Sequence, residues 1–153
     1  MEPRATILLI DDTPTNLHLL ADTLKGTYRV LAATSGARGL ELAHAEPPDL
    51  ILLDIMMPAM DGFEVCRRMR KIAALADVPI IFISALDQLN FKLDAFSSGG
   101  FDYITKPFQP PEVLARVATQ LELRRKRQEL AESYQRLRKL ERMRDELVHL
   151  LAH

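Results

Sequence analysis

Leu50-Ile51-Leu52-Leu53-Asp54 is the stretch on which the fold turns. Four consecutive apolar residues with no polar alternation, closed by a carboxylate, read as a strand buried on both faces, the situation of a parallel sheet covered by helices. Two further runs have the same form, Ile7-Leu8-Leu9-Ile10 before Asp11-Asp12 and Ile80-Ile81-Phe82-Ile83 before Ser84, and a more mixed run, Phe101-Asp102-Tyr103-Ile104-Thr105, precedes Lys106. Each stops at a residue able to do chemistry.

Between these runs the pattern turns helical. Strands are expected near 5–10, 28–33, 49–54, 79–84 and 101–104, and helices near 14–26, 36–45, 62–75, 87–98 and from 110 onward. Thr13 before Pro14 and Ser35 before Gly36 are N-cap signals, and Gly26 and Gly99-Gly100 stand where helices end. Strand–helix alternation with short connections implies an α/β fold with helices on both faces of a parallel sheet. Five strands match a flavodoxin-like (βα)5 order, 2-1-3-4-5, whose switch point lies between the first and third strands. Functional groups then gather outside the carboxyl ends of the strands, with Asp12 beside Asp54.

Composition narrows the function classes. The 153 residues carry a net charge of −1, which argues against nucleic-acid binding through bulk charge. The lone cysteine, Cys66, excludes an internal disulfide and suits a reducing compartment; its place in an expected helix indicates packing. No signal peptide is visible and no stretch approaches the roughly 18 apolar residues of a membrane span, so a cytoplasmic location is expected. Residues 1–120 hold 11 Lys/Arg against 15 Asp/Glu, net −4, and residues 121–153 hold 9 against 6, net +3. That shift marks an expected boundary between a domain at 1–120 and a tail at 121–153.

Three acids beside a lysine and a hydroxyl suit Mg²⁺ together with a phosphoryl group. A carboxylate can accept a phosphoryl group as a mixed anhydride, provided the approach of two anions is made tolerable. Magnesium takes carboxylate, carbonyl and water oxygens. Asp11 and Asp12 would hold it, with Asp54 and a strand-end carbonyl completing the protein ligands. Lys106 supplies a compact positive charge, and the Ser84 hydroxyl can donate to a phosphoryl oxygen. The plainer alternative is that each acid only caps a loop. A magnesium-dependent hydrolase on a related fold is a further alternative, which would turn over phosphomonoesters without a stable acyl phosphate.

Residues 5–120 resemble the receiver domain of two-component response regulators. The matching segments are Leu8-Leu9-Ile10-Asp11-Asp12, Leu53-Asp54-Ile55-Met56-Met57-Pro58-Ala59-Met60-Asp61-Gly62, Ile83-Ser84-Ala85 and Asp102-Tyr103-Ile104-Thr105-Lys106-Pro107-Phe108. The resemblance implies that Asp54 is the phosphoacceptor, that Asp11, Asp12 and the Met56 carbonyl help bind Mg²⁺, and that Ser84 and Lys106 contact the phosphoryl group. It implies that Tyr103 is a rotameric switch, that the Lys106-Pro107 bond is cis, and that a histidine kinase or phosphotransfer protein is the donor. Gly99-Gly100-Phe101 departs from the family's usual Gly-Ala-Asp and touches no site residue. Met56 and Leu86, two positions beyond Asp54 and Ser84, influence access of the hydrolytic water in the family; both are apolar here.

The tail reads differently. From Pro111 to His153 there is no Pro or Gly, and a continuous helix of that length would span about 65 Å. Val113, Leu114, Val117 and Leu121 can dock on the sheet. Beyond them Leu123, Leu130, Leu137, Leu140, Leu147 and Leu151 fall on a and d positions of one heptad frame, interrupted by Lys126, Ser133 and Arg144. Such a helix is marginal alone, and a parallel homodimeric coiled coil is its simplest partner. The cluster Arg124-Arg125-Lys126-Arg127 reads as a solvated helix face. Arg144 through His153 resembles the start of the dimerisation and phosphotransfer helix of histidine kinases, with His153 as the phosphoacceptor; the alternative is an ordinary coiled-coil end. The output is therefore expected to be a histidine kinase or, alternatively, a cyclase, a cyclic-dinucleotide enzyme or none. With apolar Met56 and Leu86, an acyl phosphate on Asp54 is expected to decay slowly; following the label after removal of the donor checks this, and loss within seconds contradicts it.

Overall fold

A computed structural model describes residues 3–85, 97 and 99–152. Of the helix expected at 87–98 only Ser97 is described, and Leu86 and His153 lie outside the described residues. The elements run β1 (Thr6–Ile10), α1 (Pro14–Leu24), β2 (Arg29–Ala33), α2 (Gly36–Ala45), β3 (Leu50–Asp54), α3 (Gly62–Arg70), a 3-10 turn (Ala73–Leu75), β4 (Ile80–Ser84), β5 (Asp102–Thr105) and α4 (Pro110–Ala152). By compactness the chain divides into two units, Met1–Leu121 and Glu122–His153.

The first unit is a five-stranded parallel sheet in the order β2-β1-β3-β4-β5. Every residue of β3 and β4 is buried, as their unbroken apolar runs require. Alternate side chains point to opposite faces. On one face Ile7, Leu9, Leu50, Leu52, Ile81 and Ile83 pack with Leu17, Leu20 and Leu24 of α1 and with Val113 and Val117 of α4. On the other, Leu8, Ile10, Ile51, Leu53 and Phe82 pack with Val65, Cys66 and Met69 of α3. Cys66 is thus a buried packing residue. At roughly 2 kcal/mol for each fully buried large side chain, these two layers dominate the fold's stability.

Several local expectations need correction. The helix expected over 62–75 ends at Arg70, because Ile72 takes an extended backbone and packs against the α3 cluster. Thr13 occupies the N-cap position of α1 but makes no side-chain cap; its backbone N–H donates instead to Asp11 Oδ1 at 2.9 Å. Ser35 does cap α2, its hydroxyl accepting from the Arg38 N–H. Gly26 follows α1 without a left-handed backbone, whereas Gly99 has φ +105°. Leu114 is not docked on the sheet: it is 36% exposed, while Val113 and Val117 are wholly buried.

Gly62 opens α3 where the chain passes directly over the end of β3. A Cβ there would stand 2.4 Å from the Asp54 carbonyl oxygen and 2.9 Å from Ile55 Cα, both backbone atoms with nowhere to move. Gly62→Ala is therefore expected to lower the unfolding free energy by roughly 2–4 kcal/mol. Gly26→Ala, with nothing within 4 Å of the new Cβ, should be neutral or slightly stabilising. Urea unfolding of the two variants checks the contrast.

Candidate functional site

The strand register brings the polar strand ends together. Ile10 pairs with Leu53, so Asp11 follows one step later beside Asp54, which itself pairs with Ile83. Ser84 pairs with Thr105, which sets Lys106 one residue past Ser84. The Lys106 N–H donates to the Ser84 carbonyl at 2.8 Å, and the Asp11 N–H to the Ala33 carbonyl at 3.1 Å, extending the ladders to the rim. Lys106-Pro107 is a cis peptide.

Asp11, Asp12 and Asp54 converge. Each offers a carboxylate oxygen, and these atoms lie within 4.8 Å of one another. Asp11 and Asp54 are buried, at 2% and 4% exposure, whereas Asp12 is exposed. Lys106 reaches in from the opposite side, its Nζ 3.3 Å from Asp11 Oδ2 and 3.5 Å from Asp54 Oδ1. Three hard oxygen donors, two in the floor and one at the mouth, are the donor set that a hard divalent cation takes. A tetrahedral anion brought to Asp54 would meet the Lys106 ammonium.

Burial is the main influence on Asp54. It pushes the carboxyl up, to about 6, with the neighbouring Asp11 carboxylate adding to the rise. The Lys106 charge and the Met56 N–H, which donates to the Asp54 carboxyl, work in the opposite direction, and Asp12 contributes a smaller upward push.

The remaining expected residues are placed as follows. Ser84 is wholly buried at the end of β4. Met56 is 61% exposed, just past Asp54 on the rim. Tyr103 is inward, 7% exposed, paired with Phe82 across the β4–β5 ladder and packed in the α3-side cluster. His153 lies outside the described residues, so its role as a phosphoacceptor stays a sequence expectation. Two supports of the site went unread in the sequence. The Thr13 amide orients Asp11, a backbone contribution that no side-chain pattern announces. Gly62 keeps the Asp54 carbonyl clear; the signal for it was the Asp61-Gly62 pair, which also caps α3 through Asp61 Oδ1 and the Glu64 N–H.

Comparison with known proteins agrees with this arrangement. The family described as the response regulator receiver domain matches residues 7–118. The DNA-binding dual master transcriptional regulator RpaA of Synechocystis is 46% identical over 112 residues, covering 72% of this chain and 46% of that protein. A probable cyclic di-GMP phosphodiesterase of Vibrio cholerae is 34% identical over 157 residues, covering 97% of this chain and 36% of that protein. The chain therefore spans less than half the length of these relatives. Among solved structures, the receiver domain of a sensor histidine kinase from Pseudomonas aeruginosa, with magnesium coordinated in its active-site cleft, superposes with a TM-score of 0.73 at 28% identity. That match covers 78% of this chain and 98% of the other.

The raised Asp54 carboxyl has a thermodynamic consequence. Its folded value lies above its unfolded value of 3.8, so its contribution to stability is complete below pH 3.8 and is lost as pH rises through about 6. Asp54→Asn removes that loss. Without divalent cations the variant should match the wild type near pH 4 and exceed it by about 1–2 kcal/mol at pH 7.5, allowing for the pocket's contact with water. Chemical denaturation in EDTA across that range is the measurement.

Proposed function

Because the chain belongs to the response regulator receiver family, and is thus a phosphorylation-controlled domain of two-component signalling, we propose that Asp54 is its phosphoacceptor and that the tail helix carries the signal onward. The observation that carries this reading is the convergence of Asp11, Asp12, Asp54 and Lys106 at one rim. Lys106 contacts both Asp11 and Asp54, and of these Asp54 stands at the end of the central strand β3, its carboxylate within 4.8 Å of those of Asp11 and Asp12.

In the proposed step an Asp54 oxygen attacks the phosphorus of a phosphohistidine on a histidine kinase or phosphotransfer protein. The new O–P bond forms as the P–N bond breaks, and the imidazole leaves with the electron pair. Mg²⁺ held by Asp11, Asp12, Asp54 and the Met56 carbonyl would neutralise the charge of the phosphoryl oxygens and bring the two anions together. Lys106 exchanges its carboxylate partners for a phosphoryl oxygen. Ser84 donates its hydroxyl to another. Movement of Ser84 lets Tyr103 settle further toward the space it leaves, biasing the β4–β5 surface between two states.

Residues 121–153 act in this reading as a coiled-coil linker, which dimerises the chain. Its leucines on the heptad seam, Leu123, Leu130, Leu137, Leu140, Leu147 and Leu151, are all between 44% and 80% exposed in the single chain. A run of such residues on one stripe calls for a partner helix. Two outputs fit. The histidine-kinase-like segment Arg144–His153 supports a kinase output. The Vibrio cholerae relative, whose similarity extends over 97% of this chain and so into the tail, supports a cyclic-dinucleotide enzyme. Labelled ATP and labelled cyclic di-GMP, offered to the full-length polypeptide, separate the two.

A radiolabelled phosphohistidine donor should label the wild type in Mg²⁺, with labelling reduced at least tenfold by EDTA and abolished in Asp54→Ala. Lys106→Ala should accept label more slowly and respond less. Saturation with a phosphoryl mimic such as beryllium trifluoride should change self-association of the wild type, read by sedimentation; equal affinities and equal crosslinking patterns would show the pocket and the tail to be uncoupled.

A further inference from the structure

Charge pairing along the second unit bears on how two copies meet. In the tail helix Arg125 bonds both Glu122, three residues back, and Glu129, four residues on. Those are the spacings at which helical side chains are neighbours. Other tail charges, Arg136 and Glu141 included, make no such pair among the described residues. Arg136 donates to the Ser133 hydroxyl at 3.1 Å, and neither Arg136 nor Glu141 enters an ion pair among the described residues. They are five residues apart, too far around the helix to meet in one chain.

In the heptad frame with Leu123, Leu130 and Leu137 at a, Arg136 is a g position and Glu141 the following e position. Across a parallel, in-register two-stranded coil, g of one helix lies beside the next e of the other. Glu122 and Arg127 form a second g–e pair of opposite sign, Glu129 and Tyr134 a third, and Met143 and Val148 an apolar fourth. No g–e pair places like charges together. In an antiparallel coil g meets g and e meets e. The antiparallel alignment that stacks Leu130 on Leu147 and Leu137 on Leu140 would set Arg136 against Met143 and Glu141 against Tyr134, leaving both charges without a counter-ion.

Resting on the dimer reading above, we infer that the tail pairs with a second copy of this chain as a parallel, in-register coil whose direction is selected by Arg136 of each helix facing Glu141 of the other. Lys126, Ser133 and Arg144 on the seam keep this dimer weak, so that its pairing is open to a signal. The seam leucines supply affinity; the g–e charges supply direction and register.

The 153-residue chain tests this with charge reversals. Arg136→Glu alone and Glu141→Arg alone each put two like-charged contacts into the dimer and should weaken self-association roughly tenfold, whereas the double variant should recover most of it. Ser133→Cys, at a d position that faces itself only in a parallel in-register coil, should form an interchain disulfide under mild oxidation. Buried Cys66 serves as the internal control. A dimer whose affinity ignores the single reversals, or that fails to crosslink through residue 133, overturns the assigned direction and leaves the dimer reading standing. A chain that sediments as a monomer at every concentration, with and without a phosphoryl mimic, overturns both.

Discussion

Three carboxylates held within 4.8 Å of one another repel, and two of them sit where water is scarce. The sheet sets them there. Asp11 and Asp54 are neighbours because Ile10 and Leu53 are paired, and a slip of one residue would send either acid to the opposite face. The apolar side chains on both faces of β1 and β3 hold that register. Hydrophobic packing thus maintains an electrostatic arrangement that would otherwise fly apart. Lys106 offsets part of the repulsion by approaching both Asp11 and Asp54, and Asp54 is still pushed to about 6. A site that is unfavourable on its own has a strong reason to bind a cation.

The supports of the site are mostly backbone. The Thr13 N–H restrains Asp11, the Met56 N–H restrains Asp54, and the Ser84 carbonyl accepts from Lys106. Gly62 has no Cβ because the Asp54 carbonyl passes where one would be. The parts that do chemistry are therefore fixed at strand tips and in the short loops that follow β1, β3 and β5, anchored to rigid strands. This is the general logic of a site on the carboxyl edge of an open α/β sheet. In the proposed mechanism the phosphoryl group needs to move only Ser84, Lys106 and Tyr103, residues of β4, β5 and the residue after β5, while β1 and β3 stay as a fixed floor.

The tail follows a different physical rule. Its leucines repeat along one stripe and stay exposed in the single chain, which is why the proposed reading gives it a second helix. Its within-chain ion pairs, such as Arg125 with Glu122 and Glu129, support the helix itself.

Much of this was legible from residue order. Unbroken apolar runs ending in Asp11-Asp12, Asp54 and Ser84, and a more mixed run before Lys106, announced buried parallel strands and the residues at their tips, because periodicity and strand length are local properties. The alternation of elements and the short connections implied a parallel sheet, and the strand order came from matching its five strands to the flavodoxin-like pattern. What depended on tertiary structure was everything set by contact across the chain. The sequence suggested a helix to residue 75, but the pull of Ile72 into the core ended it at Arg70. It suggested a Thr13 side-chain cap, which the structure lacks, and it did not reveal that the Thr13 backbone N–H donates to the Asp11 carboxylate. It grouped Leu114 with the docked residues of the last helix, yet only the packing geometry shows which side of that helix meets the sheet. The upward push on Asp54 arises from burial and a like charge 43 residues away in the chain. Distances of that kind exist only once the strands have paired, so residue order names the groups and the fold decides how acidic, how close and how deeply buried they are.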